Sequence, residues 1–375
     1  MKYETLLNVG VIIGGESVEH EISLISGLQT ILNLDKSKYN VYPIFLNKNN
    51  EFIYIKNITP DYFQKGLHLK KKQNCTIKRI KNKTYLISKY KKQVIDVIIP
   101  VVHGKGVEDG TIQALTKLLK VPSTSNSIIS ASIAQNKAIT KKLLKQQNVR
   151  MLPFVEIDNE KNQKKMSKIN SSFKYPLIIK PTTLGSSIGI RTAADTVELK
   201  DAIKYSTQYD NTVIVEEKLT KFTEYNISCF RYKNELKLSM IEEVKSNNDY
   251  LTFEDKYSDG GLKQTTKNSR IIPANITKEL EEEIHNFTKT IYTTLQSTGV
   301  VRIDYLYDLE NNKLYFNEIN TIPGSLAFYL YKEYTFKELL DLLIEDAIYR
   351  HHKEQNLITS FNTNILSLKN LKMKK

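Results

Sequence analysis

Cysteine is nearly absent from this 375-residue chain: Cys75 and Cys229 are the only two. That excludes a dense disulfide framework and favours a reducing cytoplasm. No apolar run reaches the roughly 18 residues that a membrane-spanning helix needs. The first stretch, "MKYETLLNVGVIIGGESVEH", carries one Lys and a short apolar run broken by Gly14-Gly15. It reads as a buried first strand rather than a signal peptide. No internal repeat is present. Acidic residues are in deficit, with 41 Asp and Glu against 55 Lys and Arg, a net charge of +14. Much of the excess lies in "LKKKQNCTIKRIKNKTYLISKYKK" (Leu69 to Lys92) and in the terminal "LKNLKMKK". No recognised nucleic-acid module accompanies these runs, so the charge reads as a lysine-rich solvated surface that serves solubility and steering.

The chain is 40% apolar. With its length, that allows a sizeable core and about two or three domains. "LNVGVII" reads as a buried strand, Gly14-Gly15 as a turn, and "SVEHEISLISGLQTILNL" as a helix with Ser17 as N-cap. "YNVYPIFL" and "VIDVIIPVVHG" are further strands, and the basic stretch between them is irregular or a rim hairpin. Buried strands alternating with a helix imply a parallel α/β unit. A second unit begins near Ser125 with helices over Ser127 to Gln147, a short strand "YPLIIKP", a helix "TVELKDAIKYSTQ" and a strand "TVIVEEKL". From about Lys218 the pattern turns antiparallel, through "EYNISCFRY", "ELKLSMIEEV", "VVRIDYLYD" and "KLYFNEI". "TFKELLDLLIEDAIYRHH" is a C-terminal helix. The fold class is α/β (α+β).

Four constellations could carry chemistry. In a strand, residues i and i+2 share a face, so Arg302 aligns with Asp304, and Glu318 with Asn320. A hairpin centred on Asn311 sets Asp304 opposite Glu318 and Arg302 opposite Asn320. Two facing carboxylates repel unless something positive lies between them. Mg²⁺ accepts carboxylate and amide oxygens and completes its shell with phosphates. The competing reading is an exposed polar face with an Arg–Asp surface pair. The second constellation is "IIKPTTLGSSIGI": Lys180 ends an apolar strand, and Gly185, Ser186, Ser187 and Gly189 follow. Such a loop brings backbone N–H groups to phosphate oxygens, although an ordinary flexible loop would look alike. In "GGESVEHEIS", Glu19 lies in the first turn of a helix. It either complements the helix dipole or receives a substrate ammonium. In "VVHGKGVEDGTIQ", His103 ends a buried strand at the edge where α/β sheets place ligands. A lone His is more often structural, and Glu108 and Asp109 could simply cap the next helix.

The segments "GGESVEHEISL", "HGKGVEDGTIQ", "KPTTLGSSIGI", "FEDKY" and "RIDYLYD…NEINTIPG", in this order, resemble the motifs of the D-alanine–D-alanine ligase family within the ATP-grasp enzymes. The resemblance spans residues 7–345, and the ordered set is far more specific than any single motif. It implies three domains around a cleft: 1–124, an N-terminal α/β substrate domain; 125–217, a central ATP-grasp domain with the Gly/Ser loop; and 218–375, a C-terminal ATP-grasp domain with the metal site. It implies ATP and two Mg²⁺ ions, with Mn²⁺ as a substitute. Asp304, Glu318 and Asn320 would be the metal ligands. Lys137, Lys180 and Lys256 would hold phosphates. Glu217, Lys218 and the backbone near Leu219 would line the adenine site, and Glu224 would take the ribose. Glu19, Ser186 and Tyr257 would close over the first amino acid. His103 would lie near the second substrate, and Arg302 with the Gly324 N–H would form the oxyanion site.

The implied reaction joins two D-amino acids, D-alanine foremost, through an acyl phosphate for peptidoglycan precursors. The partners are small molecules, with neither nucleic acid nor membrane, and the family suggests a homodimer. One departure falls after "NTIPG". Ser325-Leu326 stand where relatives carry Met-Thr, and Tyr329 stands where they carry a Ser that helps bind the second substrate. Phe253 replaces a Tyr common in relatives. Two alternatives stay open: a ligase of the same mechanism with another acceptor, such as D-serine or D-lactate, and a catalytically silent ATP-grasp binding module. A third reading, a nucleic-acid-binding protein, rests on charge alone.

Overall fold

The computed structural model describes residues 6–67, 73–244 and 270–363. The chain opens with β1 (Leu7–Gly14), α1 (His20–Asn33), β2 (Tyr39–Leu46) and β3 (Phe52–Tyr54). Then come β4 (Cys75–Ile80), β5 (Lys83–Ser88), β6 (Lys91–Ile95) and β7 (Val97–Val102). The first sheet has the order β3-β2-β1-β7. β1 is parallel to both β2 and β7, as α1 crosses over between β1 and β2. Every residue of β7 is buried. Pro100 is tolerated there because β7 is the last strand of the sheet and need not donate on both sides.

Ser17 is not the cap of α1. Glu19 holds that position and makes no side-chain cap bond, while the Ser17 hydroxyl accepts the Glu19 N–H at 3.0 Å. The Glu19 carboxylate is thereby available to another element. The basic segment is also more regular than its composition indicates. β4, β5 and β6 form a three-stranded antiparallel sheet. Ile77, Leu86 and Ile95 turn into the core, while Lys78, Lys83 and Lys92 stay in water. Lys92 lies 4.8 Å from the Tyr85 ring. Alternation with a period of two is what makes the lysine run compatible with a strand.

Next come α2 (Thr111–Leu118), α3 (Ile128–Gln135) and α4 (Lys137–Leu144), capped in turn by Gly110, Ser127 and Asn136. The middle of the chain contains β8 (Phe154–Ile157), α5 (Gln163–Ser172), β9 (Leu177–Pro181), β10 (Arg191–Ala193), α6 (Thr196–Ser206) and β11 (Val213–Glu217). Its sheet, β10-β9-β11-β8, is antiparallel throughout. After the N-terminal sheets, antiparallel pairing thus resumes at β8 rather than near Lys218. The strands hide their direction because both faces are covered. One face packs Leu177, Ile179, Val213 and Val215 on α5 and α6, and the other buries Ile178 and Ile214 beside Lys180 and Glu216, so the residues read as one apolar run.

The last part comprises β12 (Phe222–Tyr232), β13 (Glu235–Val244), β14 (Arg270–Ile271), α7 (Lys278–Thr294), β15 (Val301–Asp308), β16 (Lys313–Asn320), a 3₁₀ segment Gly324–Leu330 and α8 (Phe336–Gln355). The sheet order is β14-β13-β12-β15-β16, and α7 covers its inner face with Ile284, Ile291 and Tyr292. α8 starts with a capping box between Thr335 and Glu338. Its stripe Phe336, Leu339, Leu340, Leu343, Ile344 and Ala347 joins the core of the first sheet, so the chain's end closes on its beginning. Among the described residues, no helix is long and apolar enough to cross a membrane.

Candidate active site

The five-stranded sheet, α1, α3, α4 and the Gly/Ser loop surround a cavity of about 440 Å³. One wall is the β15–β16 hairpin. Arg302 pairs with Asn320 and Asp304 with Glu318 across the ladder. Near the turn the register is different: Tyr305 pairs with Phe316 and Asp308 with Lys313. Asn317 is the extra residue of a bulge between the two registers. Without it, Asp304 would face Asn317, and Glu318 would turn away from the cluster. The bulge also aims Asn317 across the cleft, where its Oδ1 accepts from Lys180 Nζ at 3.2 Å.

Arg302 grips Asp304 with two bonds of 2.7 Å, and Asn320 Nδ2 donates to Asp304 Oδ2 at 3.2 Å. Burial by itself would lower the Arg302 pKa, but the Asp304 carboxylate overrides it and raises the value well above the usual one. Arg302 is therefore a permanent cation. Glu318 Oε2 lies 3.3 Å from Lys137 Nζ. No group of three His, Cys, Asp or Glu side chains that could hold a metal occurs among the described residues. The set here is two carboxylates and an amide oxygen. That donor chemistry suits a hard cation which takes its remaining ligands from phosphate, and it suits Zn²⁺ poorly.

Facing the hairpin is the Gly/Ser loop, Leu184, Gly185 and Ser186, which follows β9 of the central sheet. Ile214 pairs with Lys180, so Lys180 and Glu216 share a face, while Glu217 points the other way. Glu216 is fully buried between Lys180 at 2.9 Å and Lys141, which also binds it closely. Burial would raise its pKa, but the two ammonium groups win and hold it down, so it stays ionised. Glu217 instead accepts the Lys174 N–H at 2.8 Å, and the Lys218 N–H goes to Pro176 O at 2.9 Å. Neither residue lines the cavity, nor does Leu219, whereas Glu224 does. Lys137 also donates to Leu184 O at 2.5 Å, at the root of the Gly/Ser loop. Asp210 anchors that loop by accepting from Thr182, from the Thr183 N–H and hydroxyl, and from Lys105.

The N-terminal part supplies the third wall. The Ser186 hydroxyl donates to the Glu19 carboxylate, which ties α1 to the Gly/Ser loop. Gly104 (φ +88°) makes this approach feasible, because a Cβ there would stand 2.9 Å from Glu19 Oε2 and 2.3 Å from Ser17 Oγ. His103 is buried, and among the described residues its Nε2 has no partner. Burial drives its pKa down to about 4, so it is neutral. Glu108 accepts from the Gly104 N–H, the Ile322 N–H and the Thr321 hydroxyl, binding the N-terminal part to the end of β16. Burial, with Glu19 nearby, pushes its pKa up to about 7. Glu108 therefore does not cap α2. Asp109 alone serves that helix start, accepting from the Thr111 N–H at 3.2 Å.

Beyond the hairpin the chain turns sharply. Ser325, Leu326 and Ala327 all have φ near +50°, a left-handed turn of three non-glycine residues. Gly324 lines the cavity, and a Cβ on it would project into open space. Ser325 is held by α1, its N–H donating to Ser26 Oγ at 3.1 Å and its hydroxyl to Gln29. The Tyr329 hydroxyl donates to Glu242 Oε2 at 3.4 Å. Burial and Glu242 push its pKa up to about 12. Lys256, Tyr257 and Phe253 lie outside the described residues. Sequence reasoning passed over Glu216, Asp210, Glu242 and Arg270. Only Glu216 carried a signal, its even spacing from the buried Ile214.

Two antiparallel sheets joined by Lys180 and Asn317 beside one cavity, with Lys137 and the Glu318 carboxylate on its walls, are the arrangement of ATP-grasp enzymes. Solved structures share the fold over most of the chain. VanG D-Ala:D-Ser ligase from Enterococcus faecalis matches with a TM-score of 0.78 at 27% identity, covering 92% of this chain and 100% of that one. The D-alanine-D-alanine ligase from Coxiella burnetii matches with a TM-score of 0.78 at 24% identity, covering 93% and 96%. Family models for the D-ala D-ala ligase N-terminus and C-terminus match residues 8–126 and 143–345. The D-alanine--D-alanine ligase of Thermosipho melanesiensis is 35% identical over 371 residues, 97% of this chain and 99% of that protein. The chain belongs to the D-alanine–D-alanine ligase family and is an ATP-dependent, ADP-forming ligase.

Proposed function

We propose that the cavity joins two D-alanine molecules for peptidoglycan precursor synthesis, with the roles that follow. The observation that carries this reading is the meeting of Arg302, Glu318 and Asn320 with Lys137 in one cavity, with Lys180 bonded to Asn317 on its wall. Lys137 and Lys180 neutralise the triphosphate, and Glu224 takes the ribose. Lys180's neighbour Glu216 supports a place for it beside the nucleotide, alongside Glu217, Lys218 and Leu219 at the strand end. Mg²⁺, or Mn²⁺ in its place, would be held by Asp304, Glu318 and Asn320 and would neutralise charge on the transferring phosphoryl group.

Glu19, bonded to Ser186, receives the ammonium of the first substrate, with Tyr257 completing the group and Lys256 reaching phosphate. That substrate's carboxylate attacks the γ-phosphorus, and the bond to the β-phosphate breaks, giving the acyl phosphate and ADP. The acceptor amine then attacks the carbonyl carbon, and phosphate leaves. Arg302 and the Gly324 N–H stabilise the tetrahedral oxyanion. Neutral His103 offers an acceptor lone pair to the second substrate, next to Ser325 and Tyr329. The Gly/Ser loop keeps water from the acyl phosphate.

We further propose the domain division 1–124, 125–217 and 218–375, a homodimer, and a cytoplasmic place of work, since the reaction consumes ATP. The test is ADP release by the purified full-length protein with ATP, Mg²⁺ and D-alanine. Release that depends on D-alanine and yields the dipeptide is the expected result. ATP binding with no D-amino-acid-dependent ADP would instead identify a silent binding module, and release that needs D-serine or D-lactate would change the acceptor.

A further inference from the structure

We infer that Arg270 is the residue that recognises the acceptor's carboxylate and so favours an acceptor that carries one. This rests on the acyl-transfer reading above. The argument begins with two hydroxyls that sequence places at the acceptor end. Both are already engaged inside the protein. The Ser325 hydroxyl donates to Gln29, and the Tyr329 hydroxyl donates to Glu242. Arg302 commits two nitrogens to Asp304.

Arg270 differs. It stands on the edge strand β14 and lines the cavity. Among the described residues its side chain makes one hydrogen bond, Nη1 to Glu242 Oε1 at 2.7 Å, and one contact with the Tyr329 ring at 5.9 Å. A guanidinium has five N–H donors in a planar fork. One bond to Glu242 and one face against a phenol ring fix that plane and leave the rest of the fork for a ligand. Glu242 is fully buried and also accepts from Asn226 Nδ2 at 3.1 Å, so it anchors the arginine rigidly. A planar fork held this way matches a carboxylate bidentately, which a hydroxyl cannot do. Tyr329 then acts as a wall and a brace for Arg270 rather than as the donor to substrate.

The test uses the full-length enzyme with ATP, Mg²⁺, D-alanine and D-alaninamide together. D-alaninamide has no carboxylate, so it cannot become an acyl phosphate and competes only as acceptor. The ratio of D-alanyl-D-alanine to D-alanyl-D-alaninamide is read by mass spectrometry. R270M should lower that ratio by about 10- to 100-fold, the value of a charge-assisted hydrogen bond. R270K should lower it less. The double variant R270M/E242Q, which removes both charges of the pair, should lower it as R270M does. If both products fall together and the ratio holds, Arg270 merely neutralises Glu242 and the inference is overturned. If the unaltered enzyme makes neither product, the acyl-transfer reading falls first and takes the inference with it.

Discussion

The half of the cavity that we assign to the nucleotide and the half that we assign to the acceptor are built on opposite plans. In the nucleotide half the walls are regular strands, and buried charges are answered by opposite charges: Glu318 by Lys137, Glu216 by Lys141 and Lys180. In the acceptor half the wall is a left-handed turn, and its polar groups are hydroxyls held by side chains of other elements: Ser325 by Gln29, Tyr329 by Glu242. Rigid strands with buried ion pairs suit a ligand whose chemistry never varies, such as a nucleoside triphosphate. A short turn lets one acceptor be exchanged for another without disturbing the rest. Among its relatives, VanG is a D-Ala:D-Ser ligase and the Thermosipho melanesiensis protein a D-alanine--D-alanine ligase.

The contrast can be broken most severely at Glu318. E318Q keeps the shape of the side chain but removes a carboxylate from the phosphate side. ADP release should fall about 10³-fold, the scale of one lost preorganised electrostatic contact, with the circular dichroism spectrum unchanged. Near-normal turnover would remove Glu318 from the phosphate machinery. E216Q attacks the same half through stability. It leaves Lys141 and Lys180 buried with no carboxylate between them and should cost about 3–5 kcal/mol in urea unfolding. A loss below about 1 kcal/mol would mean that the nucleotide half does not depend on buried charge pairing.

His103 tests the boundary between the halves. Its folded pKa of about 4 lies below the ordinary 6.5. The unfolded chain therefore binds the proton first, and stability is full above pH 6.5 and is lost as pH falls toward 4. The loss is about 3 kcal/mol at most, from 1.36 kcal/mol per pH unit. Glu108 acts in the opposite sense, since its raised pKa of about 7 costs stability as pH rises from 4.5. Between these limits the two slopes oppose each other, so H103Q should make stability fall more steeply with rising pH. An unchanged slope would mean that His103 is hydrated. The smallest effect belongs to the left-handed turn. A327G relieves one non-glycine residue at φ +52° and should stabilise the protein by about 1 kcal/mol. Destabilisation would show that the Ala327 methyl, fully buried, matters more for packing than its backbone does.

How much of this was legible in the residues varies by position. The shared face of Arg302, Asp304, Glu318 and Asn320 follows from a period of two. Their register does not. The turn between Asp308 and Lys313 sets one pairing, and only the bulge at Asn317 converts it into the one that forms the cluster. The expectation centred on Asn311 thus reached the right pairs without the feature that produces them. Glu216 and Glu217 are adjacent and chemically identical, and motif matching favoured Glu217. The pairing of Ile214 with Lys180 turns Glu216 to the cleft side. The antiparallel central sheet escaped notice because strands buried on both faces lose the alternation that would have revealed them.

The sequence by itself determined the family, the strands and helices, and which residue types could meet phosphate and carboxylate. Those properties are local, set by periodicity and by short motifs. Tertiary structure alone decided which of two neighbouring glutamates reaches Lys180, that Glu108 ties the first sheet to the end of β16, and that Arg270 keeps donors which Ser325 and Tyr329 have already used. Each of those depends on groups far apart in the chain being brought within hydrogen-bond distance. No window of sequence contains that information, because burial and partner choice are fixed only when the sheets close on one another.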